Sequence, residues 1–387
     1  MDGLRVAVVG GGLAGPLLVQ GLLGAGVEAT LCERDAGVAV RGQGFRIHLA
    51  PEGDLALRRC LPPHLYRLAR ATTPTPGAGV TIFDSDLNVL NRITDFDVAD
   101  PEHGEHLVVD RMVLRQILTA GLGDTVSYGR TCTGYDELPD GGVRVLFADG
   151  SAVEADLLVA ADGSGSVVRR QFLPHAQVID AGLVSVYGKV PLDDEVRALV
   201  PPYALDGFSA VIGGDRSLPL AGVEYASDPN DAAAELAPGL TFDDTRDYVM
   251  WVLVTPAAEV ASAGQDGRAL VDVARKAVAD WHPSLGAVLD HADPTTVRSS
   301  PIRTAVPLEH WETGPVTLVG DAIHCMVPAG IGAAVALRDA AELTERLTDV
   351  VRGGCTLREA VHAYEVEMLR YGFEAVAASQ QTHRLTQ

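Results

Sequence analysis

Hydrophobic positions along the chain follow two periods, and the switches between them mark its elements. Val6-Ala7-Val8-Val9 is a continuous apolar run that ends on glycine, the pattern of a strand buried on both faces. Leu17, Leu18, Leu22 and Leu23 recur at helical spacing and stop at Gly24-Ala25-Gly26. A second apolar strand, Glu28 to Cys32, ends on Glu33. Phe45, Ile47 and Leu49 alternate as in a strand, and Pro51 to about Leu61 reads as a helix stopped by Pro62-Pro63. Residues 70–80 form a connection rich in Thr, Pro and Gly. Val80 to Phe96 is strand-like around an Asp84-Ser85-Asp86 turn. His106 to Val109 is a short strand, and Asp110-Arg111 opens an amphipathic helix carrying Met112, Leu114, Ile117 and Leu118. Tyr128 to Phe147 is hairpin material, and Ala155 to Ala161 is a buried strand.

The second half continues with β-rich stretches at 183–190, 207–213, 219–226 and 246–255. Asp266 caps a helix to about Trp281, stopped by Pro283. Val316 to Gly320 is a last buried strand, followed by a glycine-containing loop and a helix to Arg352. Thr356-Leu357-Arg358-Glu359 matches a capping box, and the helix it opens reaches about Gln380 with Leu357, Val361, Tyr364, Met368 and Tyr371 on one face. This order predicts an α/β protein in which a Rossmann-like dinucleotide-binding domain is assembled from residues 1–75, 106–175 and 296–352. A second, mostly β domain for the substrate comes from 76–105 and 176–295, and residues 353–387 form a C-terminal bracing helix.

Composition narrows the partners. The 387 residues carry a net charge of −22, and Lys189 and Lys276 are the only lysines among 30 basic residues. Such a chain is a poor ligand for nucleic acid or an anionic membrane, so any phosphate must meet backbone dipoles and individual arginines. Cys32, Cys60, Cys132, Cys325 and Cys355 are odd in number and form no C-x-x-C pair, which favours a reducing, cytoplasmic setting without a metal site. No run of about 18 apolar residues exists, so no transmembrane helix is expected.

The chemistry concentrates in three places. Gly10-Gly11-Gly12-Leu13-Ala14-Gly15 matches G-x-G-x-x-G between a strand and a helix, and Glu33 follows Gly10 by 23 residues at the end of the next strand. In that context Gly10 makes the tight turn, Gly12 lets backbone N–H groups approach a pyrophosphate, and Gly15 lets helix and strand pack closely. The helix N-terminus attracts an anion, and Glu33 suits ribose hydroxyls. Alone, this stretch permits NAD as readily as FAD. Asp162-Gly163, after a buried strand, and Gly320-Asp321, before a loop containing Pro328, Gly330 and Gly332, are the other two.

These three motifs, in this order and spacing, resemble the single-component FAD-dependent monooxygenases of the para-hydroxybenzoate hydroxylase-like class. The likeness is greatest to short two-domain members such as the tetracycline-inactivating and salicylate-hydroxylase-like enzymes. Val109-Asp110-Arg111 to Leu118 is similar to the R-x-x-L-x-x-x-L helix of that class, and Phe45 to Gly53 to its I-x-L-x-P segment. The resemblance implies non-covalent FAD with NADPH or NADH as co-substrate. Gly10, Gly12, Leu13, Ala14 and Gly15 would take the pyrophosphate and Glu33 the adenosine ribose, with Arg34 a further cofactor-binding residue. Arg111 would reach phosphate or ribose, Asp162 and Gly163 would be shared by FAD and the nicotinamide cofactor, and Asp321 would hold the ribityl or pyrophosphate part. Pro328, Gly330 and Gly332 would lie beside the flavin ring, with Arg46 a further residue near it. The loop after His324 reads one residue shorter than is common in the class, Ala334 stands where Asn is usual, and Gly165 replaces another common Asn.

The implied reaction is hydroxylation of a small aromatic or polyketide-like molecule with O₂ through a flavin C4a-hydroperoxide, by a monomer or homodimer. The flavin would carry the chemistry, so no catalytic side chain is assigned. Epoxidation, Baeyer–Villiger oxidation, reduction and non-catalytic FAD binding stay open. Met250 and Trp251 either line the substrate pocket, beside Pro328, or form strand core. His48, His324 and Cys325 read as structural.

Overall fold

A computed structural model describes residues 3–38, 44–75, 77, 79–94, 103–200 and 205–385, with side chains through 381. The buried apolar runs build a five-stranded parallel sheet in the order Val316–Leu318, Leu157–Ala160, Arg5–Val9, Glu28–Glu33, Val126–Tyr128. Its two central strands put the Gly10 turn and Asp162 side by side, because Val9 pairs in register with Ala160. The order places the helix Ala14–Gly24 over the sheet, with the helix Gly332–Val351 packed against it and against Pro51–Cys60.

A seven-stranded sheet forms the second layer, in the order Arg298–Ala305, Val178–Pro191, Tyr248–Pro256, Arg216–Val223, Phe208–Gly213, Val80–Asp84, Val89–Ile93. Its edge strand Arg298–Ala305 lies within the stretch 296–352 that the sequence reading joined to the cofactor half, but it is hydrogen-bonded into this sheet. One face packs on the helices Gly267–Ala277 and Pro283–Asp290. The two-stranded ribbon Arg46–Leu49 with Leu107–Asp110 stands between the layers.

Several elements differ from the sequence expectation. Pro63 and Pro283 were expected after helix ends; instead each is the first residue of a new helix, Pro63–Ala71 and Pro283–Asp290. At the first helical position proline loses no hydrogen bond and its φ is already helical. The Asp266-capped helix ends at Ala277, short of the expected Trp281. The run 155–161 divides, with Ala152–Ala155 in a separate antiparallel sheet and Leu157–Ala160 in the parallel one. Phe96, the expected end of the second hairpin strand, lies outside the described residues.

The capping box forms as expected: Thr356 N donates to Glu359 Oε2 at 2.8 Å and Glu359 N to Thr356 Oγ1 at 3.3 Å. The helix Leu357–Leu385 is tied down by Tyr364, whose hydroxyl donates to the Leu318 carbonyl at 2.9 Å, and by Gln380, which donates to Thr304 Oγ1 of the seven-stranded sheet at 3.1 Å. It therefore touches both sheets. Among the described residues no helix is long and apolar enough to cross a membrane.

Candidate active site

A continuous cleft of about 2010 Å³ runs from the Gly10 turn, past Asp162 and Asp321, to the open face of the seven-stranded sheet. That is roughly twice the upper end of the ~300–1,000 Å³ usual for a small-ligand pocket, room for a dinucleotide and a second molecule. Gly10, Gly12, Leu13, Ala14, Glu33, Arg34, Arg46, Arg111, Asp162, Gly163, Asp321, Pro328, Gly330, Gly332 and Met250 all line it. Gly15 and Trp251 do not.

Gly15 acts one layer back. A Cβ there would come within 2.1 Å of the Gly10 carbonyl oxygen, and one on Gly10 within 2.2 Å of the Ala161 carbonyl. Gly12 differs, since among the described residues beyond its chain neighbours no atom lies within 4 Å of where its side chain would begin. The turn is thus closed by protein behind and open in front. No side chain caps the N-terminus of Ala14–Gly24, nor that of Gly332–Val351, so both helices leave N–H donors on the cleft. By contrast Asp110, Ser166 and Asp266 cap their helices by accepting backbone N–H groups.

The acidic residue of the first motif is built in from two sides. Glu33 is buried and accepts from Gly11 N and, at 2.7 Å, from Asp35 N. Arg115, which the sequence reading passed over, is 4% exposed and binds the same loop. Its Nε donates to the Gly11 carbonyl at 2.6 Å and its Nη1 to the Val38 carbonyl at 2.9 Å, and its Nη2 stands 3.8 Å from Glu33 and 3.6 Å from Asp35. Arg115 lies one helical turn beyond Arg111, the available but unused signal.

Asp162 accepts from Val167 N at 2.9 Å through one oxygen, while its other oxygen, Oδ1, is buried without a hydrogen-bond partner among the described residues. Burial raises its pKa, against the bonds from Ser166 and Val167. Asp321 opens onto the cleft floor, and burial raises its pKa against the pull of His324 and Arg111. An orphan carboxylate oxygen, uncapped N–H groups and an open glycine face are what a ribose, a pyrophosphate and a flavin would complete. The residues present fit FAD.

Behind Asp321 stands a network the sequence did not show. Asp339, fully buried, accepts from Gly320 N at 2.6 Å, meets His324 Nε2 at 2.7 Å and accepts from the Tyr371 hydroxyl at 2.7 Å. Burial lowers the His324 pKa, but the Asp339 charge and hydrogen bond outweigh it, and the net shift is upward. His324 is thereby held under the loop by Asp339, which favours its protonated form, and Cys325 beside it is a thiol pushed up to about 12 by burial. Ala334 is fully buried against Gly53, where a Cβ would meet Ala334 Cα and Cβ at 3.2 Å and require a shift of a few tenths of an ångström.

The strand Tyr248–Pro256 resolves the Met250–Trp251 alternative. Met250, Val252 and Val254 face the cleft, and Val249, Trp251 and Leu253 face the helices behind the sheet. Trp251 is 0% exposed, near Gly188 and Val297, and is not among the residues that line the cleft. Tyr248 joins the layers: its hydroxyl donates to Asp110 Oδ2 at 2.7 Å, and Lys189 sits 4.1 Å over its ring, 3.7 Å from Asp110 and 3.3 Å from Asp244.

The family described as FAD binding domain matches residues 141–379. A dual O-methyltransferase/FAD-dependent monooxygenase of Phaeosphaeria nodorum is 31% identical over 88% of this chain, which spans about two-fifths (40%) of that relative's length. A 6-hydroxynicotinate 3-monooxygenase of Bordetella bronchiseptica is 30% identical over 88% of this chain and 82% of its own. A solved structure from Photorhabdus luminescens, described as an FAD-containing monooxygenase, superposes with a TM-score of 0.84 at 27% identity, covering 99% of this chain and 98% of that one. The chain belongs to the FAD-binding domain family, among the FAD-dependent monooxygenases.

Proposed function

We propose that the protein hydroxylates a small aromatic or polyketide-like molecule with O₂, using NADH or NADPH as reductant. The observation that carries this reading is the single cleft, which joins the dinucleotide turn to a sheet face lined by Tyr187, Phe208, Met250 and Val252. Gly10 to Ala14 and the helix behind them would hold the FAD pyrophosphate, Glu33 the adenosine ribose, Asp162 and Asp321 the central part, and Pro328 to Gly332 the ring. When bound, FAD supplies the two-electron reduction and the activation of O₂. The chain's own residues bind, orient and exclude water. The apolar sheet face dries the reacting end, and the Arg115–Gly11 and Asp339–Gly320 contacts hold both cofactor loops before the ligand arrives. Relatives named for hydroxynicotinate and aminohydroxybenzoate support an aromatic substrate.

The test uses FAD-loaded protein mixed with NADH or NADPH and a panel of aromatic and polyketide compounds. The expected result is NAD(P)H oxidation stimulated by a panel member, with a product heavier by one oxygen atom. Reduction of the flavin without any oxygenated product would sink the monooxygenase reading for this chain.

A further inference from the structure

The cleft face of the seven-stranded sheet is apolar from the cofactor loop to its free edge. Met250, Ala221, Phe208, Val80 and Ile93 pair in register, one to the next, across five adjacent strands. Pro219, Ala210 and Ile82 form a second row beside them, which ends at Asn91. All of these but Ala221 line the cleft. Val327, next to Pro328 of the loop proposed to lie beside the flavin ring, packs with Val254 of the strand Tyr248–Pro256. The apolar floor therefore starts at that loop. Four strand spacings carry it roughly 19 Å away, to the edge strand Val89–Ile93. A single ring covers only part of that length.

Charge divides the cleft in the same way. Among the described cleft residues on the strands Arg216–Val223, Phe208–Gly213, Val80–Asp84 and Val89–Ile93, none is charged, and the polar ones are Ser217 and Asn91. The edge strand is also shaped toward the cleft. All five of its residues are exposed. Its pairing with Val80–Asp84 slips between Ile82 and Phe83, which leaves Leu90 as the extra residue of a bulge. A bulge re-aims a side chain, and Leu90, 60% exposed, lines the cleft together with Ile93, 46% exposed. Edge strands ordinarily protect themselves with charge. Here two large apolar side chains stand bare at the end of an apolar floor, in a chain with a net charge of −22. Exposed apolar surface continuous with a ligand cleft is surface that a ligand covers.

We propose that this floor binds a long, uncharged apolar extension of the substrate, so that the substrate class is a ring carrying an apolar arm that reaches the edge strand, with the ring itself at the cofactor-loop end. The word substrate rests on the monooxygenase reading; the binding claim stands without it.

The test is titration of FAD-loaded protein, followed by perturbation of the flavin absorption spectrum. The probes are phenol, 4-butylphenol, 4-octylphenol, and a phenol whose equally long para chain carries ether oxygens. An arm on an open floor buries about half its surface, so affinity should rise about twofold per methylene, the square root of the roughly fourfold of complete burial. 4-Octylphenol should then bind roughly 100-fold or more tighter than phenol, and the ether chain should lose most of that gain. Ile93→Asp puts a charge at the far end and should weaken 4-octylphenol about fivefold or more, leaving phenol within about twofold. Val89→Asp is the control and should change neither, since Val89 pairs with Phe83 of the opposite face and is not among the described residues that line the cleft. The proposal is overturned if affinity is independent of chain length, if no probe perturbs the flavin, if the two Asp variants act alike, or if Ile93→Asp weakens phenol as much as 4-octylphenol. It also falls if Ile93→Asp leaves affinity alone and lowers the sedimentation coefficient, which would make the edge a contact between copies of the chain. Oxygenated product is scored separately. Length-dependent, Ile93-dependent binding without product keeps the proposal and removes the monooxygenase reading; oxygenation of phenol with no effect of chain length does the reverse.

Discussion

Removing one hydroxyl from the final helix tests whether that helix holds the cofactor loop. Tyr371 is 5% exposed and donates to Asp339 Oδ1, while Asp339 Oδ2 serves Gly320 N and His324. Tyr371→Phe keeps the ring, over which Arg338 sits at 3.9 Å, and removes the donor alone. A hydrogen bond to a buried charged group contributes about 1.5–3 kcal/mol, and its loss leaves a carboxylate oxygen unsatisfied. The unfolding constant should therefore rise roughly 10- to 150-fold. Urea titration followed by fluorescence of Trp251, Trp281 and Trp311 would read this in FAD-loaded and FAD-stripped protein, with weaker FAD retention because the disturbed loop carries Asp321. A second arm uses pH. The folded pKa of His324 is raised, so the native state binds the extra proton more tightly than the unfolded state does. Its stabilisation is full below the unfolded value of about 6.5 and is lost as pH rises through the folded value. Asp339→Asn should remove that decline together with about 3–5 kcal/mol of stability at low pH, the usual result of breaking one side of a buried pair. A Tyr371→Phe shift below about 0.5 kcal/mol in both forms, or an unchanged pH slope in Asp339→Asn, would refute the reasoning.

Three further outcomes follow from the geometry. Gly12→Ala should leave the FAD-free protein as stable as wild type yet weaken FAD binding at least about tenfold by titration, whereas Gly15→Ala should lower stability itself, since its Cβ meets the Gly10 carbonyl at 2.1 Å. Met250→Ala should change the spectral affinity for an aromatic ligand and Trp251→Phe should not, while Trp251→Ala should cost about 3–5 kcal/mol in denaturation without altering ligand preference. Glu365, buried and bonded by Trp311, Thr313 and Thr317, has its pKa pushed up to about 7 by burial, so wild type should lose stability as pH rises from about 4.5 through 7 and Glu365→Gln should flatten that loss in melting curves.

What the sequence showed and what it hid divide along one line. The Gly10 turn, Glu33, Asp162 and Asp321 are legible because each sits at the end of a buried apolar strand, and a parallel sheet brings its strand ends to one edge. Asp339 and Arg115 were missed because their partners lie on other elements: Asp339 joins residues 19 positions before it and 32 after it, and Arg115 reaches back 104 positions to Gly11. The facing of Trp251 depends on the phase of its strand, and alternation alone gives two faces without saying which one a helix covers. The two helix-opening prolines show a local ambiguity, since proline after a helix and proline before the next one are the same residue in sequence.

Charge carries the argument one step further. The chain has a net charge of −22, yet among the described residues the cleft is lined by seven arginines against five carboxylates, an excess of two positive charges. The whole-protein field repels a dinucleotide, and the attraction acts only within the cleft, over distances comparable to a Debye length of about 8–10 Å. Salt should therefore help the encounter by screening the outer repulsion, while the uncapped helix ends and the buried Arg115, less screened by salt, keep the bound state. Stopped-flow mixing of FAD with stripped protein should show an association rate that holds or rises as ionic strength goes from about 10 to 150 mM, with dissociation changing less. A steep fall in the association rate with salt would mean that long-range attraction brings the cofactor in, and that the local excess in the cleft is not what selects it.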